Sequence, residues 1–237
     1  MIDIDNYWAI GFRQVDGWVD DRLLDVLKVV SQFQAEASIV GNIAEIGVYH
    51  GRFLIGLAHL GRPGEVCLAV DVFADQAKNL DGSGVGDADK FRQNLQAYAP
   101  SELRYQMVQA DSLALTMRER LELGAKFGPF RLFSIDGGHT VQHAINDLLL
   151  AQDLLAAGGV IFVDDYFHKH WPGVTEGVAR FFGTHSPRVA PCIFAFNKLC
   201  LTGIAHHKAL LDKCIARFQD QHEFKIVKMY GFEVAVL

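Results

Sequence analysis

Paired cysteines, basic patches, membrane-length apolar runs and linkers are all missing from this sequence, and each absence excludes a class of protein. The four cysteines, Cys67, Cys192, Cys200 and Cys214, stand far apart with no C-x-x-C pair among them. That argues against zinc and against a disulfide scaffold, and they read as reduced core thiols of a cytoplasmic protein. Lysine and arginine number 22 against 28 aspartates and glutamates, a formal charge of -6. Such a chain lacks the positive footprint that nucleic acid demands, so no nucleic-acid partner is expected. No apolar run approaches the length of a bilayer span, so no membrane partner is expected either. The opening residues, Met1-Ile2-Asp3-Ile4-Asp5, are acidic and lead into no signal-like apolar segment, which again points to the cytoplasm. No repeat, low-complexity tract or Pro/Ser-rich linker divides the chain. One domain over residues 1–237 is therefore expected, with a helical N-terminal segment (residues 1–40) packing on it.

What is present suits a folded core. Half the residues are apolar and 21% are charged, enough for one large domain. Leu23, Val26, Leu27, Val30 and Phe33 keep helical spacing over 20–34. Strand-like runs at 42–47, 66–71, 105–109, 131–136 and 160–164 then alternate with helical stretches near 52–60, 88–98, 113–124 and 141–156. Alternation of this kind gives right-handed crossovers and a doubly wound, parallel α/β sheet. The tail differs: 189–196, 198–202 and 224–237 are strand-like around a helix bearing Leu211, Cys214, Ile215 and Phe218. That predicts antiparallel strands at the C-terminal edge and a mostly parallel sheet of about seven strands in all.

In such sheets ligands collect at the carboxyl ends of the strands. Here every strand of the parallel set closes on an acid: Glu45 within the first turn, Asp71, Asp111 with Ser112, Asp136, and Asp164 with Asp165. Acids gathered at one rim make a negative cleft, which suits hydroxyl-bearing or cationic ligands. The stretch FVDDYFHKHW is the sharpest case. Adjacent carboxylates at the mouth of a buried strand repel, and one takes up a proton unless something positive lies between them. A hard divalent cation on Asp136, Asp164 and Asp165, Mg²⁺ by preference, would answer that need. The first loop, AEIGVYHGRF, has G-x-x-x-G spacing rather than G-x-G-x-x-G, and Glu45 would repel a pyrophosphate. A dinucleotide is disfavoured there, and an acid closing the second strand is placed to take ribose hydroxyls.

Taken together, E-x-G-x-x-x-G, Asp71 and Ala110-Asp111-Ser112 resemble class I S-adenosylmethionine-dependent methyltransferases, over roughly Gly41 to Gly173. The phrases IDGGHT, GGVIFVDDYF and WPGV are similar to metal-dependent O-methyltransferases of the catechol type, and closer to the macrocin type acting on sugars and natural products. The resemblance implies a Rossmann-like fold, with Gly47 and Gly51 passing the methionine part of the cofactor and Glu45 supporting that loop. It implies Asp71 on the ribose, Asp111 and Ser112 near the adenine, Asp136 at the junction with the metal, and a small-molecule hydroxyl acceptor. A bound cation would lower the acceptor's pKa and a base would remove its proton. His139 is the first candidate base, or else a group bonded to a metal ligand; His168, Lys169 and His170 are further candidates. NLDGSGVGD (79–87) reads as a lid or a long turn, and Trp18 as a core aromatic or a residue closing the site. A metal-independent methyltransferase of the same fold, an NAD-dependent oxidoreductase and a non-catalytic cofactor-binding module remain alternatives. A homo-oligomer is allowed but has no signature.

Overall fold

Runs of β-branched and large apolar residues place alternate side chains on opposite faces of a strand, and here both faces find cover. The computed structural model describes residues 3–237; Met1 and Ile2, the start of the expected N-terminal segment, lie outside the described residues. Five parallel strands form the centre: β1 (Asn42–Ile46), β2 (Val66–Asp71), β3 (Arg104–Gln109), β4 (Phe130–Ile135) and β5 (Leu155–Val163). Four antiparallel or edge strands follow: β6 (Val189–Ala195), β7 (Lys198–Gly203), β8 (Lys225–Met229) and β9 (Phe232–Val236). Their order is β3-β2-β1-β4-β5-β7-β6-β9-β8. The sheet thus has nine strands rather than about seven. The tail expected as a single run at 224–237 is a hairpin, because Tyr230 (φ 50°) and Gly231 (φ 89°) turn the chain back through left-handed backbone.

Seven main helices flank the sheet. They are α1 (Leu23–Glu36), α2 (Arg52–Ala58), α3 (Ala88–Tyr98), α4 (Met117–Phe127), α5 (Val141–Leu154), α6 (Pro172–Thr184) and α7 (His207–Phe218). Leu27, Phe53, Phe91 and Cys214 join one core layer, whereas Leu123, Leu148 and Phe181 join the other. β5 shows the division: Val160 and Phe162 face the first layer, Ile161 and Val163 the second. α6 had no counterpart in the expected elements. It begins with Pro172 at its first turn, a position where the missing N–H costs nothing. All four cysteines are buried and free, and no helix among the described residues is long and apolar enough to cross a membrane. The strand order reverses between β1 and β4, which sets the ligand crevice at their carboxyl ends.

The N-terminal turns are fastened to the first residue of α2, Arg52. Tyr7 and Trp8 are buried, the Tyr7 hydroxyl donates to the Arg52 carbonyl at 2.7 Å, and the Arg52 Nε donates to the Val15 carbonyl at 2.6 Å. At the opposite end of the strands, Arg131 is completely buried. Its guanidinium bonds both Glu65 oxygens at 2.9 and 2.7 Å, Gln34 Oε1 at 2.8 Å and the Leu60 carbonyl at 2.7 Å. Removing one partner of a buried pair leaves a charge without compensation. Glu65→Gln should therefore destabilise the fold by about 3–5 kcal/mol in urea unfolding, and Arg131→Met added to Glu65→Leu should recover most of that loss. An unchanged unfolding midpoint in Glu65→Gln would show the pair to be dispensable.

Candidate functional site

The loop after β1 depends on glycine where the backbone crowds. Gly47 has φ 79°, and a Cβ there would lie 1.9 Å from the Asp136 carbonyl, so only glycine lets the ends of β1 and β4 meet. Gly51 (φ 93°) caps α2 and packs on the Phe91 ring; it does not line the cavity, contrary to the expected approach to a ligand. Between them the Tyr49 N–H donates to Asp71 Oδ2 at 2.9 Å, while the Phe73 N–H donates to Oδ1 at 2.6 Å. Burial raises the Asp71 pKa, and these two bonds hold the carboxylate against that pressure. Asp111 caps the turn Ser112–Ala114 by accepting from the Leu113 N–H at 2.9 Å, and His143 Nε2 lies 3.8 Å from it.

The carboxyl ends of β4 and β5 carry the densest charge. Asp164 is 8% exposed, and its two oxygens are already engaged: Oδ2 by the ammonium of Lys198, Oδ1 by the Asp165 N–H at 2.9 Å. Lys198 is 1% exposed and sits 4.5 Å from the Phe53 ring centroid. Burial alone would strip its proton, but Asp164 and Asp136 outweigh burial and raise its pKa. Asp165 (φ 56°) adopts left-handed backbone and accepts from Asn197 Nδ2 at 2.6 Å. Asp136 borders the cavity, and burial, then the Asp164 charge, push its pKa well up. Glu45 lies beneath the rim, 1% exposed, with neither carboxylate oxygen hydrogen-bonded. Burial pushes it up to about 8, only partly offset by Lys198 and by the nearby Ser134 hydroxyl.

His139 joins two acids. Its Nδ1 lies 2.9 Å from Asp81 Oδ2 and its Nε2 2.9 Å from Asp165 Oδ2, and its ring stacks on Trp171 at 4.2 Å. Burial works against its protonation, but the Asp165 hydrogen bond and the Asp81 and Asp165 charges prevail and raise its pKa. Asp81 belongs to the glycine-rich segment 79–87. Burial opposes its ionisation, yet bonds from Ser83 and the His139 N–H (2.6 Å) outweigh that and hold it at about 2. Burial likewise opposes ionisation of Asp165, and bonds from His139 and Asn197 overcome it. His168 is on the cavity wall with Nδ1 4.0 Å from Asp165. Lys169 and His170 are exposed and do not line the cavity, which corrects the expectation that Lys169 is a catalytic candidate.

These groups surround one cavity of about 470 Å³. Asp71, Asp111 and Ser112 line it along β2 and β3; Asp136, His139, Asp164 and Asp165 line it along β4 and β5. Trp18, expected first as a core aromatic, is 72% exposed and forms part of the wall beside Tyr49, 5.0 Å between ring centroids. Leu80 and Gly84 place segment 79–87 on the same wall. Asp164 stays beside Asp136, but Lys198 occupies it, so the three carboxylates do not share one open point as expected. Asp136, His139 and Asp165 instead bring ligand atoms within 4.8 Å of one another, with Asp164 turned to Lys198. Asp81, Asn197 and Lys198 escaped the sequence reading. Only Lys198 had a local signal, a lysine inside the apolar run FNKLCL.

The model of a family described as a methyltransferase domain matches residues 44–166. Among curated proteins, none matches the chain. Solved structures share the fold. The O-methyltransferase NovP aligns at 14% identity and TM-score 0.59, over 78% of this chain and 81% of that one. CalS11, a TDP-rhamnose 3'-O-methyltransferase of calicheamicin biosynthesis, aligns at 18% and 0.56, over 76% and 78%. MycE, a methyltransferase of the mycinamycin pathway in complex with Mg and SAH, aligns at 14% and 0.54, over 85% of this chain and 54% of that one.

The isolated Glu45 carboxyl predicts a pH dependence. The unfolded chain releases this proton near 4.3, whereas the folded chain retains it up to about 8, so stability falls as pH rises between those values. In Glu45→Gln the drop in unfolding free energy between pH 4.5 and 8 should shrink, as read from urea titrations at both pH values. An identical drop in the two proteins would mean that Glu45 ionises freely in the folded state.

Proposed function

This chain belongs to the methyltransferase family whose domain spans its residues 44–166, and on that footing we propose that it is an S-adenosylmethionine-dependent O-methyltransferase acting on a hydroxyl of a small molecule. The observation that carries this reading is a single cavity bordered by Asp71 and Asp111 on one side and by His139 with its two acids on the other. Asp71 would take the ribose hydroxyls, Asp111 and Ser112 the adenine side, and Gly47 the methionine part. Glu45 and Gly51 act from behind, as a buried residue under the rim and a packing position on Phe91. The name of CalS11 and the exposed Trp18 wall support a sugar or secondary-metabolite acceptor.

S-adenosylmethionine held by Gly47, Asp71, Asp111 and Ser112 would supply an activated methyl group to the acceptor oxygen, the C–S electron pair staying on sulfur. The protein must hold the acceptor oxygen in line and remove its proton. Asp81, held ionised, can only accept, so His139 Nδ1 carries the proton shared with it. That fixes Nε2 as the atom facing the cavity and Asp165. Asp165, also held ionised, accepts from Nε2 in the same way, so the two carboxylates stabilise the imidazolium, and His139 serves as base once that Nε2 proton has been released, which makes turnover rise with pH. His168 stands next to Asp165 as a second polar contact for the acceptor.

Asp136 and Asp165 offer the carboxylate oxygens that a hard cation such as Mg²⁺ takes, and His139 Nε2, within 4.8 Å of them, would join such an ion only in place of its role as base. A cation held there would lower the pKa of an acceptor hydroxyl. The Mg in the MycE complex supports this part of the reading.

Binding and turnover test the proposal separately. S-adenosylhomocysteine should raise the melting temperature and NAD should not. Asp71→Ala should weaken S-adenosylhomocysteine binding by about 1.5–3 kcal/mol in calorimetry. His139→Ala should lower kcat by roughly 10²- to 10⁴-fold while leaving that binding intact. Stabilisation by NAD but not by S-adenosylhomocysteine would sink the reading.

A further inference from the structure

Two consecutive acids at the end of β5 are clamped by two consecutive residues at the start of β7. Val163 pairs with Leu199 at the end of the antiparallel register, and just beyond it the side chains of Asp164 and Lys198, and of Asp165 and Asn197, meet. The turn Phe196 (φ 49°) and Asn197 (φ 73°) brings both partners to the rim in left-handed backbone. The Asn197 carbonyl also accepts from the Tyr166 N–H at 3.2 Å, so the two strand ends are stitched together. Lys198 is an expensive residue to bury, and its strand neighbours Leu199, Cys200 and Leu201 are completely buried apolar groups. Nothing in their packing needs an ammonium. Among the described residues its one hydrogen-bond partner is Asp164, and it stands on the face toward Asp136 and Glu45 as well.

The geometry points to Lys198 as the resident cation of this site: its ammonium takes the charge-neutralising place at Asp164, so that Asp164 is a lysine counter-ion and not a ligand for a divalent metal. This rests on the reading of the cavity as the methyl-transfer site. β7 is paired on both sides, which fixes the Lys198 backbone beside the end of β5. Lys198 is thus a positioning residue. It holds the end of β5 so that Asp165 meets His139, and it limits any metal to Asp136, His139 and Asp165.

The sign of one stability change decides the matter. If Asp164 were one of three mutually repelling carboxylates, Asp164→Asn would leave the protein equally or more stable in EDTA. If it is the partner of Lys198, the same variant strands a buried ammonium and should lower the melting temperature by at least about 5 °C. Adding Lys198→Met to Asp164→Asn should then restore part of the loss. Mn²⁺ binding, followed by the electron paramagnetic resonance of the free ion, gives a readout that simple packing would not move. Lys198→Met removes a positive charge and frees a carboxylate, so it should bind Mn²⁺ at least about tenfold more tightly than the unaltered protein; Lys198→Arg should not. A melting temperature unchanged or raised in Asp164→Asn overturns the proposal, and so does Mn²⁺ binding equal or weaker in Lys198→Met. S-adenosylhomocysteine binding by the unaltered protein, measured alongside, judges the cofactor reading on its own.

Discussion

The contact between Lys198 and Asp164 is what allows Glu45, Asp136 and Asp164 to lie together at the ends of β1, β4 and β5. Without an internal positive charge, Glu45, Asp136 and Asp164 would be three carboxyls in a space that water barely enters. With it, the deep part of the site carries one ion pair and two carboxyls whose proton affinity is raised by burial. The outer part repeats the pattern with an imidazole in place of the ammonium: Asp81, His139 and Asp165. Two cations of different kinds thus divide the cluster into a fixed inner layer and an outer layer open to the cavity. The β5–β7 register produces both at once, since it matches Lys198 to Asp164 and Asn197 to Asp165.

This arrangement changes how the adjacent aspartates are understood. Side by side in the chain they look equivalent, but they belong to different layers. Asp164 continues the extended line of β5 and turns inward to the strand beside it. Asp165 breaks that line by taking left-handed backbone, which aspartate tolerates better than most residues, and so faces His139. The strain is local and is met by three contacts, from His139, Asn197 and the following turn.

Much of this was legible in the sequence because it is local. A buried run followed by an acid marks a strand end, and repeating that pattern along the chain located the crevice and the acids Asp71, Asp111, Asp136, Asp164 and Asp165 that line it. His139 was found the same way, by its distance from Asp136. The rest depends on pairs far apart in the chain. Lys198 lies 34 positions from Asp164 and Asp81 lies 58 from His139, and no periodicity links such partners. Trp18 was misplaced because an isolated tryptophan before a helix reads as core, whereas here a neighbouring tyrosine gives it a surface to lean on. The second strand of the tail was hidden by apolar residues on both sides of the Tyr230-Gly231 turn.

Asp81 gives segment 79–87 a role beyond that of a wall. The histidine proposed as base owes its tautomer to a residue that the loop supplies, while Leu80 and Gly84 of the same loop shape the space that an acceptor enters. Selectivity and reactivity are therefore written in the same few residues. Exchanging this loop for another, the obvious way to redirect such an enzyme to a new acceptor, would also exchange the partner of its base. A redesigned loop would have to keep an acid at the position of Asp81, or the gain in breadth would come with a histidine whose Nδ1 has lost its partner.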